Sequence, residues 1–364
     1  MIPFLSLKAA TEELSTEIEA AVLRSVRSGQ YIGGEECAVF ERGFSDFTGA
    51  AHTVGTGNGL DALHLALRAM GVGPGDEVIV AANTFIATLL AVTMVGATPI
   101  LVEPDERTYN LDPAMVVAAI TKKTKVILPT HLYGQPADLD ALQKIADEYG
   151  LQLLEDAAQA HGAEYKGIRV GARGSAACWS FYPGKNLGAL GDGGAVTANA
   201  PELANAVRLL GNYGSSVRYA HEMQGFNSRL DPIQASVLSV KLAHLEEWNK
   251  RRAAIAGAYL KGLKGTGLTL PVVPEWAKPS WHLFVVLCDD RDGLQKRLLA
   301  EGVQTLIHYP TPPHLQGAYQ DLGFKRGSLP ITERLARHCL SLPIGPHLGP
   351  EQAAEVIEAI RRCV

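Results

Sequence analysis

Cysteine is scarce in this chain of 364 residues, and positive charge is not in excess. The 33 basic and 38 acidic residues are well mixed, with a net charge of −5, so no basic stripe offers itself to nucleic acid or to a membrane surface. The cysteines lie far apart and form no CxxC pair, which argues against a disulfide framework and a zinc site and favours the cytoplasm. They are Cys37, Cys178, Cys288, Cys339 and Cys363.

Long apolar runs of the kind that cross a membrane are also absent. The N-terminus lacks the basic segment and the apolar stretch of a signal peptide. Residues 78–102 carry no charge, but Asn83, Gly96 and Pro99 divide this segment into shorter pieces. We therefore expect it to form strand, helix and strand in a buried core, and we expect no membrane partner.

Short apolar runs alternate with helical patterns through the first half of the chain. The predicted strands cover residues 77–80, 99–102, 125–128 and 151–155, followed later by 176–181 and 194–198. The predicted helices cover residues 60–70, 85–95, 113–120 and 139–149. This alternation is typical of an α/β fold with a mainly parallel central sheet that is flanked by helices.

The rest of the chain indicates a smaller α+β domain. A charged helical stretch over residues 237–260 leads away from the sheet pattern, and a strand over 281–288 and helices over 293–301 and 350–363 follow it. A chain of this length, with 47% apolar residues, suits two domains. We predict a large domain over residues 1–245 and a small C-terminal domain over residues 246–364.

Lys185 and Asp156 are the most informative residues of the chain. Lys185 lies in the run SFYPGKNLG, and Asp156 follows a predicted strand, at the end where open α/β sheets bind their ligands. A lysine amine forms a Schiff base with the aldehyde of pyridoxal phosphate, and a carboxylate against the pyridine nitrogen keeps the ring electron-withdrawing. Taken singly, the lysine is an ordinary surface charge and the aspartate a helix cap. Together they predict a pyridoxal phosphate enzyme.

A glycine-rich turn supplies a candidate phosphate site. The sequence GTGNG over residues 55–59 lies between a predicted strand ending at Val54 and a helix beginning near Leu60. Its N–H groups would open onto a helix N-terminus, which favours an anion. The spacing matches neither the dinucleotide fingerprint nor the P-loop, and such a turn is also common as a purely structural feature.

Three more residues would complete a cofactor site. Gln159 lies close enough to Asp156 in sequence to reach a second polar atom of the same ring. Ser180 precedes the lysine and can donate its hydroxyl to a phosphate oxygen, and Phe85 begins a helix where an aromatic ring can stack on a planar cofactor. Each also has a structural interpretation, as a loop amide, a turn former or a core aromatic.

Five segments occur in a distinctive order along the chain. They are GTGNG (55–59), EDAAQ (155–159), SFYPGKNLG (180–188), GDGGAV (191–196) and GFNSRLD (225–231). In this order and spacing the chain resembles the DegT/DnrJ/EryC1/StrS sugar aminotransferases over nearly its whole length. The resemblance implies the aspartate aminotransferase fold, which is fold type I of the pyridoxal phosphate enzymes. The segments NGLDAL, HLYGQ and YPGKN are most similar to those of enzymes that aminate dTDP-linked 3-keto-6-deoxyhexoses.

The resemblance implies a role for each residue of the cofactor site. Lys185 would form the Schiff base, Asp156 would contact the pyridine nitrogen, and Gln159 would adjoin the cofactor 3-hydroxyl. Since some family members carry histidine in place of the lysine and act as dehydratases, the lysine places this chain among the transaminases.

The same resemblance implies a phosphate site shared between two subunits. Gly57, Asn58 and Ser180 would bind the cofactor phosphate, Phe85 would stack on the ring, and Asn227 would reach the phosphate from a second subunit. It therefore implies a homodimer with shared active sites.

The function implied is amino transfer from L-glutamate to dTDP-3-keto-6-deoxyhexose, which gives dTDP-3-amino-3,6-dideoxyhexose by ping-pong kinetics. Candidates for substrate contact lie in loops of both predicted domains, and Arg229 is attractive because a guanidinium suits a diphosphate or a carboxylate. These candidates are Tyr31, Tyr182, Arg229, His308 and Tyr309.

Three alternatives stay open at this point. The same cofactor residues would serve a C4 aminotransferase of a UDP-4-keto sugar or a cyclitol aminotransferase. A non-catalytic pyridoxal phosphate protein that acts as a sensor is disfavoured, because such a protein would not need the intact set of Asp156, Gln159 and Lys185. A nucleotide-binding oxidoreductase is disfavoured, because the GxGxxG spacing and an acidic residue about 20 positions on are both missing.

Overall fold

The computed structural model describes residues 1–364 and is built around a central sheet of seven strands. The strands in chain order are β1 (His52–Thr56), β2 (Glu77–Ala81), β3 (Thr98–Val102), β4 (Thr124–Leu128), β5 (Gln152–Asp156), β6 (Glu164–Tyr165), β7 (Ile168–Arg169), β8 (Ala176–Ser180), β9 (Gly194–Ala198), β10 (Ser215–Val217), β11 (Ala220–His221), β12 (Ala277–Lys278), β13 (Phe284–Leu287) and β14 (Cys339–Leu342).

Twelve α-helices accompany these strands. They are α1 (Leu7–Glu13), α2 (Ser15–Ser28), α3 (Glu35–Thr48), α4 (Gly59–Ala69), α5 (Ile86–Met94), α6 (Pro113–Ala119), α7 (Leu139–Tyr149), α8 (Pro201–Gly211), α9 (Pro232–Gly262), α10 (Arg291–Ala300), α11 (Pro330–His338) and α12 (Pro350–Cys363). Short 3-10 helices occur at Leu132–Gly134, Pro313–Leu315 and Gly317–Leu322. No helix is both long enough and apolar enough to cross a membrane.

The central sheet has the strand order β1-β9-β8-β5-β4-β2-β3. The pairs on the β8 to β3 side are all parallel, whereas β9 pairs antiparallel with both β8 and β1. Only β9 therefore runs against the other strands, and the predicted α/β fold with a mainly parallel sheet is confirmed. The carboxyl ends of β2, β4, β5 and β8 consequently meet along one edge of the sheet.

Alternate residues of the inner strands face two different helical layers. Val78 and Val80 of β2 belong to the core cluster that contains Leu63 and Leu67 of α4. Their neighbour Ile79 belongs instead to a second cluster, together with residues of α6 and α7. Burial on both faces explains why these strands are continuous apolar runs rather than alternating ones.

The structure corrects several boundaries that were predicted from the sequence. Strand β1 continues to Thr56 instead of ending at Val54, so Gly55 pairs with Ala195 inside the sheet and is not part of the turn. A β-carbon on Gly55 would lie 2.7 Å from the β-carbon of Leu230. Glycine is therefore required there by a close approach of two segments. The charged helix α9 is longer than predicted, and the strand predicted over 281–288 is limited to β13.

A second core lies against the C-terminal part of α9. It combines apolar residues of α9, α10, α12, β13 and β14, and it also includes Ile2, which bridges to Val303. The predicted domain boundary between residues 245 and 246 falls within α9, whose Leu245 packs on the sheet side while Ile255 packs in this second core. The boundary itself stays a prediction.

Four aromatic rings pack beneath the carboxyl end of β8. Phe44 of α3 lies edge-on to Trp179 and Phe181, with ring centroids 5.1 and 5.4 Å away, and Phe40 contacts the same group. All four side chains are fully buried. This cluster anchors α3 to the strand that leads into the Lys185 loop.

We expect Phe44→Ala to lower the free energy of unfolding of the cofactor-free protein by about 3–5 kcal/mol, because it leaves a cavity among the rings. Urea unfolding followed by tryptophan fluorescence measures the change. The control is Val117→Ala at an exposed position of α6, which should cost less than about 0.5 kcal/mol. Equal losses in the two variants would contradict a packing role for the cluster.

Candidate active site

Asp156 is the last residue of β5, and its side chain is only 5% exposed. Its Oδ2 accepts a hydrogen bond from the hydroxyl of Thr88 at 2.8 Å and lies 3.4 Å from that of Thr130. Its Oδ1 accepts a hydrogen bond from the backbone N–H of Ala158 at 3.2 Å. Neutral donors thus hold the carboxylate, as expected for a buried charge that must be compensated.

Gln159 has a fixed amide orientation. Its Oε1 accepts the backbone N–H of Tyr133 at 2.7 Å, so its Nε2 must point the other way, where it donates to the hydroxyl of Tyr309 at 3.2 Å. The hydroxyl of Tyr133 in turn donates to the backbone carbonyl of His308 at 2.5 Å. The Nε2 group of Gln159 therefore points toward Tyr309, which belongs to the C-terminal part of the chain. One of its two amide hydrogens is still available to a ligand.

Lys185 lies in the loop between β8 and β9. Burial lowers the pKa of its amine to about 8, although the nearby Asp156 carboxylate acts in the opposite direction. Burial, with the charge of Lys185 as a second cause, lowers the pKa of His308 to about 4 and that of His161 to about 3. The neighbouring imidazoles are therefore neutral near physiological pH, while Lys185 itself is partly exposed.

Side chains on one face of α9 hold the lysine loop. Lys241 donates from Nζ to the carbonyl of Gly188 at 2.7 Å, and Gln234 accepts the N–H of Leu190 at 2.8 Å. The Asn249 side chain binds Asn186, the residue after Lys185, at 2.9 Å. Burial lowers the pKa of Lys241 to about 8. The position of the Lys185 backbone is thus set by a helix that lies far along the chain.

The predicted phosphate site lies at the N-terminus of α4. Asn58 caps this helix by accepting the N–H of Asp61 at 2.8 Å, and the N–H of Gly57 is bound by the Ser228 hydroxyl at 2.9 Å. A β-carbon on Gly59 would lie 2.6 Å from the β-carbon of Ser180, so β8 and α4 approach each other closely at this point. A helix N-terminus beside a serine hydroxyl can hold an anion.

Phe85 is 49% exposed, and ordinary core packing therefore does not explain it. It caps the N-terminus of α5, and its ring lies 5.2 Å from that of Tyr309 at an angle of 35°. Burial raises the pKa of Tyr309 above its usual range. The two rings form an aromatic wall beside Gln159.

The remaining candidates lie outside this buried group. Tyr31 and Tyr182 are 55% and 59% exposed, and the Tyr31 hydroxyl binds only the carbonyl of Val26 at 3.2 Å. Asn227 is also exposed, and its Oδ1 accepts a hydrogen bond from Arg229 at 2.6 Å. Within one chain, none of these four side chains hydrogen-bonds to Lys185, Asp156 or Gln159, whereas Tyr309 does contact Gln159.

Several residues of the site were missed in the sequence. Tyr133 orients Gln159, Lys241 holds the lysine loop, and the buried hydroxyls of Thr84, Thr88 and Thr130 cluster at Asp156. Thr84 and Thr130 follow β2 and β4, whose carboxyl ends adjoin that of β5. The rule that ligands bind at strand ends would have pointed to them.

A parallel α/β sheet that carries a lysine amine of lowered pKa and a buried carboxylate at its carboxyl edge is the arrangement of a pyridoxal phosphate enzyme. The profile of the DegT/DnrJ/EryC1/StrS aminotransferase family matches residues 12–361, and the chain belongs to that family. It is a pyridoxal phosphate-dependent aminotransferase, so the resemblance noted in the sequence is confirmed.

Relatives of known name are similar along nearly their whole length. The erythromycin biosynthesis sensory transduction protein EryC1 of Saccharopolyspora erythraea is 56% identical over 99% of each chain. The dTDP-3-amino-3,4,6-trideoxy-alpha-D-glucose transaminase of Streptomyces venezuelae is 55% identical over 99% of this chain and 95% of that protein. The dTDP-3-amino-3,6-dideoxy-alpha-D-galactopyranose transaminase of Aneurinibacillus thermoaerophilus is 49% identical over 100% of this chain and 99% of that protein.

Solved structures of the family agree with the fold and with the cofactor. The crystal structure of S. venezuelae DesV in complex with a ketimine intermediate matches with a TM-score of 0.98 at 54% identity, over 99% of this chain and 98% of that one. The structure of NtdA from Bacillus subtilis with bound cofactor PMP matches with a TM-score of 0.91 at 31% identity, over 100% and 85% of the two chains. The prediction of fold type I is confirmed.

In the cofactor-free protein, Asp156→Asn should lower the pKa of Lys185 further below its present value of about 8, because it removes the charge that favours the ammonium while burial persists. The pH dependence of Lys185 acetylation, read by mass spectrometry, measures this because only the neutral amine reacts. We expect the midpoint to fall by about one pH unit. The control is Glu148→Gln at an exposed position of α7, which should leave the midpoint unchanged. The same midpoint in both variants would exclude this coupling.

Proposed function

We propose that this chain transfers the amino group of L-glutamate to a dTDP-linked 3-keto-deoxyhexose. The observation that carries the proposal is the Lys185 amine, which has a pKa lowered to about 8 and lies close enough to Asp156 to feel its charge without sharing a hydrogen bond with it. An amine of this kind is neutral in an appreciable fraction at physiological pH and is able both to attack a carbonyl and to carry a proton.

Pyridoxal phosphate, when bound, supplies an aldehyde for the lysine and a ring that withdraws electrons from the reacting carbon. The residues present fit this cofactor. Asp156 offers a buried carboxylate to the ring nitrogen, and Gln159 offers its remaining amide hydrogen to the ring hydroxyl. Both side chains are already oriented by the protein, so little ordering is needed on binding.

The phosphate end and the ring face of the cofactor also have partners. We assign the phosphate to the N-terminus of α4 at Gly57 and Asn58 and to the hydroxyl of Ser180, where the helix dipole and the N–H groups favour an anion. Phe85, whose ring is half exposed beside Tyr309, would stack on the ring.

Lys185 would then have two duties in each half of the reaction. Its amine would hold the cofactor at rest and, once displaced, would accept and return the proton of the substrate carbon. Burial lowers the pKa of the amine to about 8, so a fraction of it is neutral near physiological pH, and the neighbouring imidazoles of His161 and His308 add no positive charge there, because burial lowers their pKa values to about 3 and about 4.

The sugar is proposed from the names of the two transaminase relatives. Both are named for dTDP-linked sugars that carry the amino group at C3, whereas the sugars differ at C4, which is deoxygenated in one name and not in the other. C3 amination of a dTDP-sugar is therefore the shared chemistry. A UDP-4-keto sugar and a cyclitol remain the competing substrates.

We propose that the substrate contacts Tyr309 of the aromatic wall, the neighbouring His308 and the exposed candidates. His308 and Tyr309 lie beside Gln159 and Lys185, where a keto sugar has to enter. Tyr31, Tyr182 and Arg229 are accessible and carry hydroxyl or guanidinium groups that suit a nucleotide diphosphate.

With glutamate as donor, the protein should aminate dTDP-linked 3-keto sugars, and chromatography with mass spectrometry of the product measures this. The panel should include 3-keto-6-deoxyglucose, its galactose isomer and the 4-deoxy form, all linked to dTDP, with a UDP-4-keto sugar and scyllo-inosose as competitors. Lys185→Ala is the inactive control.

Turnover of only the UDP-sugar or the cyclitol would overturn the substrate class. A protein that binds the cofactor but converts none of the panel would favour the sensor alternative, in keeping with the name of the sensory transduction protein EryC1, the relative at 56% identity.

We further propose a homodimer in which Asn227 reaches the cofactor phosphate of the partner subunit. Three observations support this. Asn227 is exposed in the single chain, it makes no hydrogen bond with Lys185 of the same chain, and several apolar side chains around the site are exposed as well, including Phe85, Tyr182 and Leu190. Exposed apolar groups around a functional site are typical of an interface.

Mixed dimers test this sharing. Lys185→Ala and Asn227→Asp should each be nearly inactive alone, since the second variant places a negative charge next to the phosphate. Co-expression should restore about one quarter of the wild-type activity, because half of the dimers are mixed and each holds one intact site. The specific activity of the co-expressed protein, relative to wild type, measures the recovery. Failure to recover activity, with dimers shown to form, would place Asn227 in the site of its own chain.

A further inference from the structure

Three buried threonines connect to the Asp156 carboxylate. Thr84 precedes α5, Thr88 lies in its first turn, and Thr130 follows β4, and all three side chains are excluded from water. The hydroxyl of Thr84 lies 2.8 Å from that of Thr88 and 2.9 Å from that of Thr130. The Thr88 hydroxyl lies 2.8 Å from Oδ2 of Asp156.

The number of hydroxyl protons determines which group donates in each of these contacts. Each hydroxyl has one proton, and an ionised carboxylate only accepts. Thr88 must therefore donate to Asp156, which leaves Thr84 to donate to Thr88 and Thr130 to donate to Thr84. The three short contacts are all satisfied in this one order, and the 3.4 Å contact between Thr130 and Asp156 is left without a proton.

The three hydroxyls act on the carboxylate of Asp156, which has no ion-pair partner. The titratable groups that face Asp156 are Lys185 in the loop after β8, Cys178 on the neighbouring strand β8 and Tyr309 from the C-terminal part of the chain. Burial raises the pKa of Cys178 and of Tyr309, so both are neutral, and Lys185 acts through its charge without a hydrogen bond. The hydroxyl of Thr88 and the N–H of Ala158 are therefore the direct short contacts of the carboxylate.

We infer that Thr130, Thr84 and Thr88 form a one-directional hydroxyl chain that holds Oδ2 of Asp156 and keeps its carboxyl ionised, so that the proton shared with the ring nitrogen of a bound cofactor would stay on the nitrogen. Hydrogen bonds in such a row polarise one another, and the last one ends on a charge. The threonines are positioning residues, since they act through Asp156. The inference rests on the proposed cofactor role of that residue.

The sharpest test uses the protein loaded with cofactor that carries ¹⁵N in its ring, and the ring nitrogen resonance is the readout. In the wild type it should lie at the position of a protonated nitrogen at neutral pH. In Thr88→Val it should move toward the unprotonated position, because the proton distribution between nitrogen and Asp156 changes by about tenfold. Thr84→Val should give a smaller shift in the same direction, and Thr130→Val the smallest.

A second readout is the dissociation constant of pyridoxamine phosphate, which cannot bond covalently to Lys185. It should rise by about tenfold in Thr88→Val, as expected for a lost hydrogen bond to a charged group. Thr88→Ser keeps the hydroxyl and should restore both readouts. Thr93→Val is the matched control on α5, because its hydroxyl binds the carbonyls of Leu89 and Leu90 and lies against Tyr319 instead of Asp156.

The outcomes separate this inference from the proposed function. Asp156→Asn must itself move the nitrogen resonance, and if it does not, the cofactor role of Asp156 fails. If it does, but Thr88→Val and Thr93→Val give the same resonance and the same dissociation constant, only the hydroxyl chain is refuted. A larger shift in Thr130→Val than in Thr88→Val would contradict the direction assigned to the chain.

Discussion

Asp156 and Lys185 carry opposite charges in one buried region, and the site depends on their being close without sharing a proton. Asp156 acts on the lysine through its charge, while its two oxygens are bound by Thr88 and by the N–H of Ala158. A direct ion pair would favour the ammonium and cancel the effect of burial. Since the amine instead has a pKa lowered to about 8, it is available as a nucleophile near physiological pH.

Keeping the two groups apart requires a rigid loop, and α9 provides the rigidity. Gln234, Lys241 and Asn249 lie along one face of this helix and bind the loop around Lys185. Farther along, Arg252 is buried and donates from Nη1 to three carbonyls, at distances of 3.2, 3.3 and 3.4 Å. Burial lowers the pKa of Lys241 to about 8 and that of Arg252 to about 10.

Burying a cation that has no carboxylate partner costs free energy of folding. The contacts of Lys241 and Arg252 explain why these two cations are nevertheless buried. The carbonyls that Arg252 binds belong to Trp281, His282 and Ile344, which lie beside β13 and β14. One helix thus connects the lysine loop with the part of the chain that brings Tyr309 to Gln159. The distance and orientation between Lys185 and the aromatic wall of Phe85 and Tyr309 are therefore set by α9.

Much of this arrangement could be predicted from the sequence, and the reasons are local. Apolar β-rich runs identified the parallel strands, α7 was predicted with its observed bounds, and the placement of Asp156 after an apolar strand identified the ligand edge of the sheet. The strand-end rule points to Thr84 and Thr130 as residues of the ligand edge, but the order of the hydroxyls depends on distances between side chains and belongs to no sequence motif. The charged composition of α9 does not indicate that Lys241 and Arg252 are buried, because their burial follows from tertiary contacts alone.

Residues of the site differ in how completely this one chain encloses them. Asp156, Gln159 and the threonines are enclosed within one chain, so their chemistry is complete before any partner arrives. Tyr31, Tyr182 and Phe85 are about half exposed, and Asn227 is exposed as well, with its side chain bound to Arg229 and not to the lysine of its own chain. A sugar nucleotide held only by such exposed side chains would remain largely in water, where hydrogen bonds and charges contribute little. In the homodimer proposed above, the partner subunit would cover these side chains and exclude water from the sugar nucleotide.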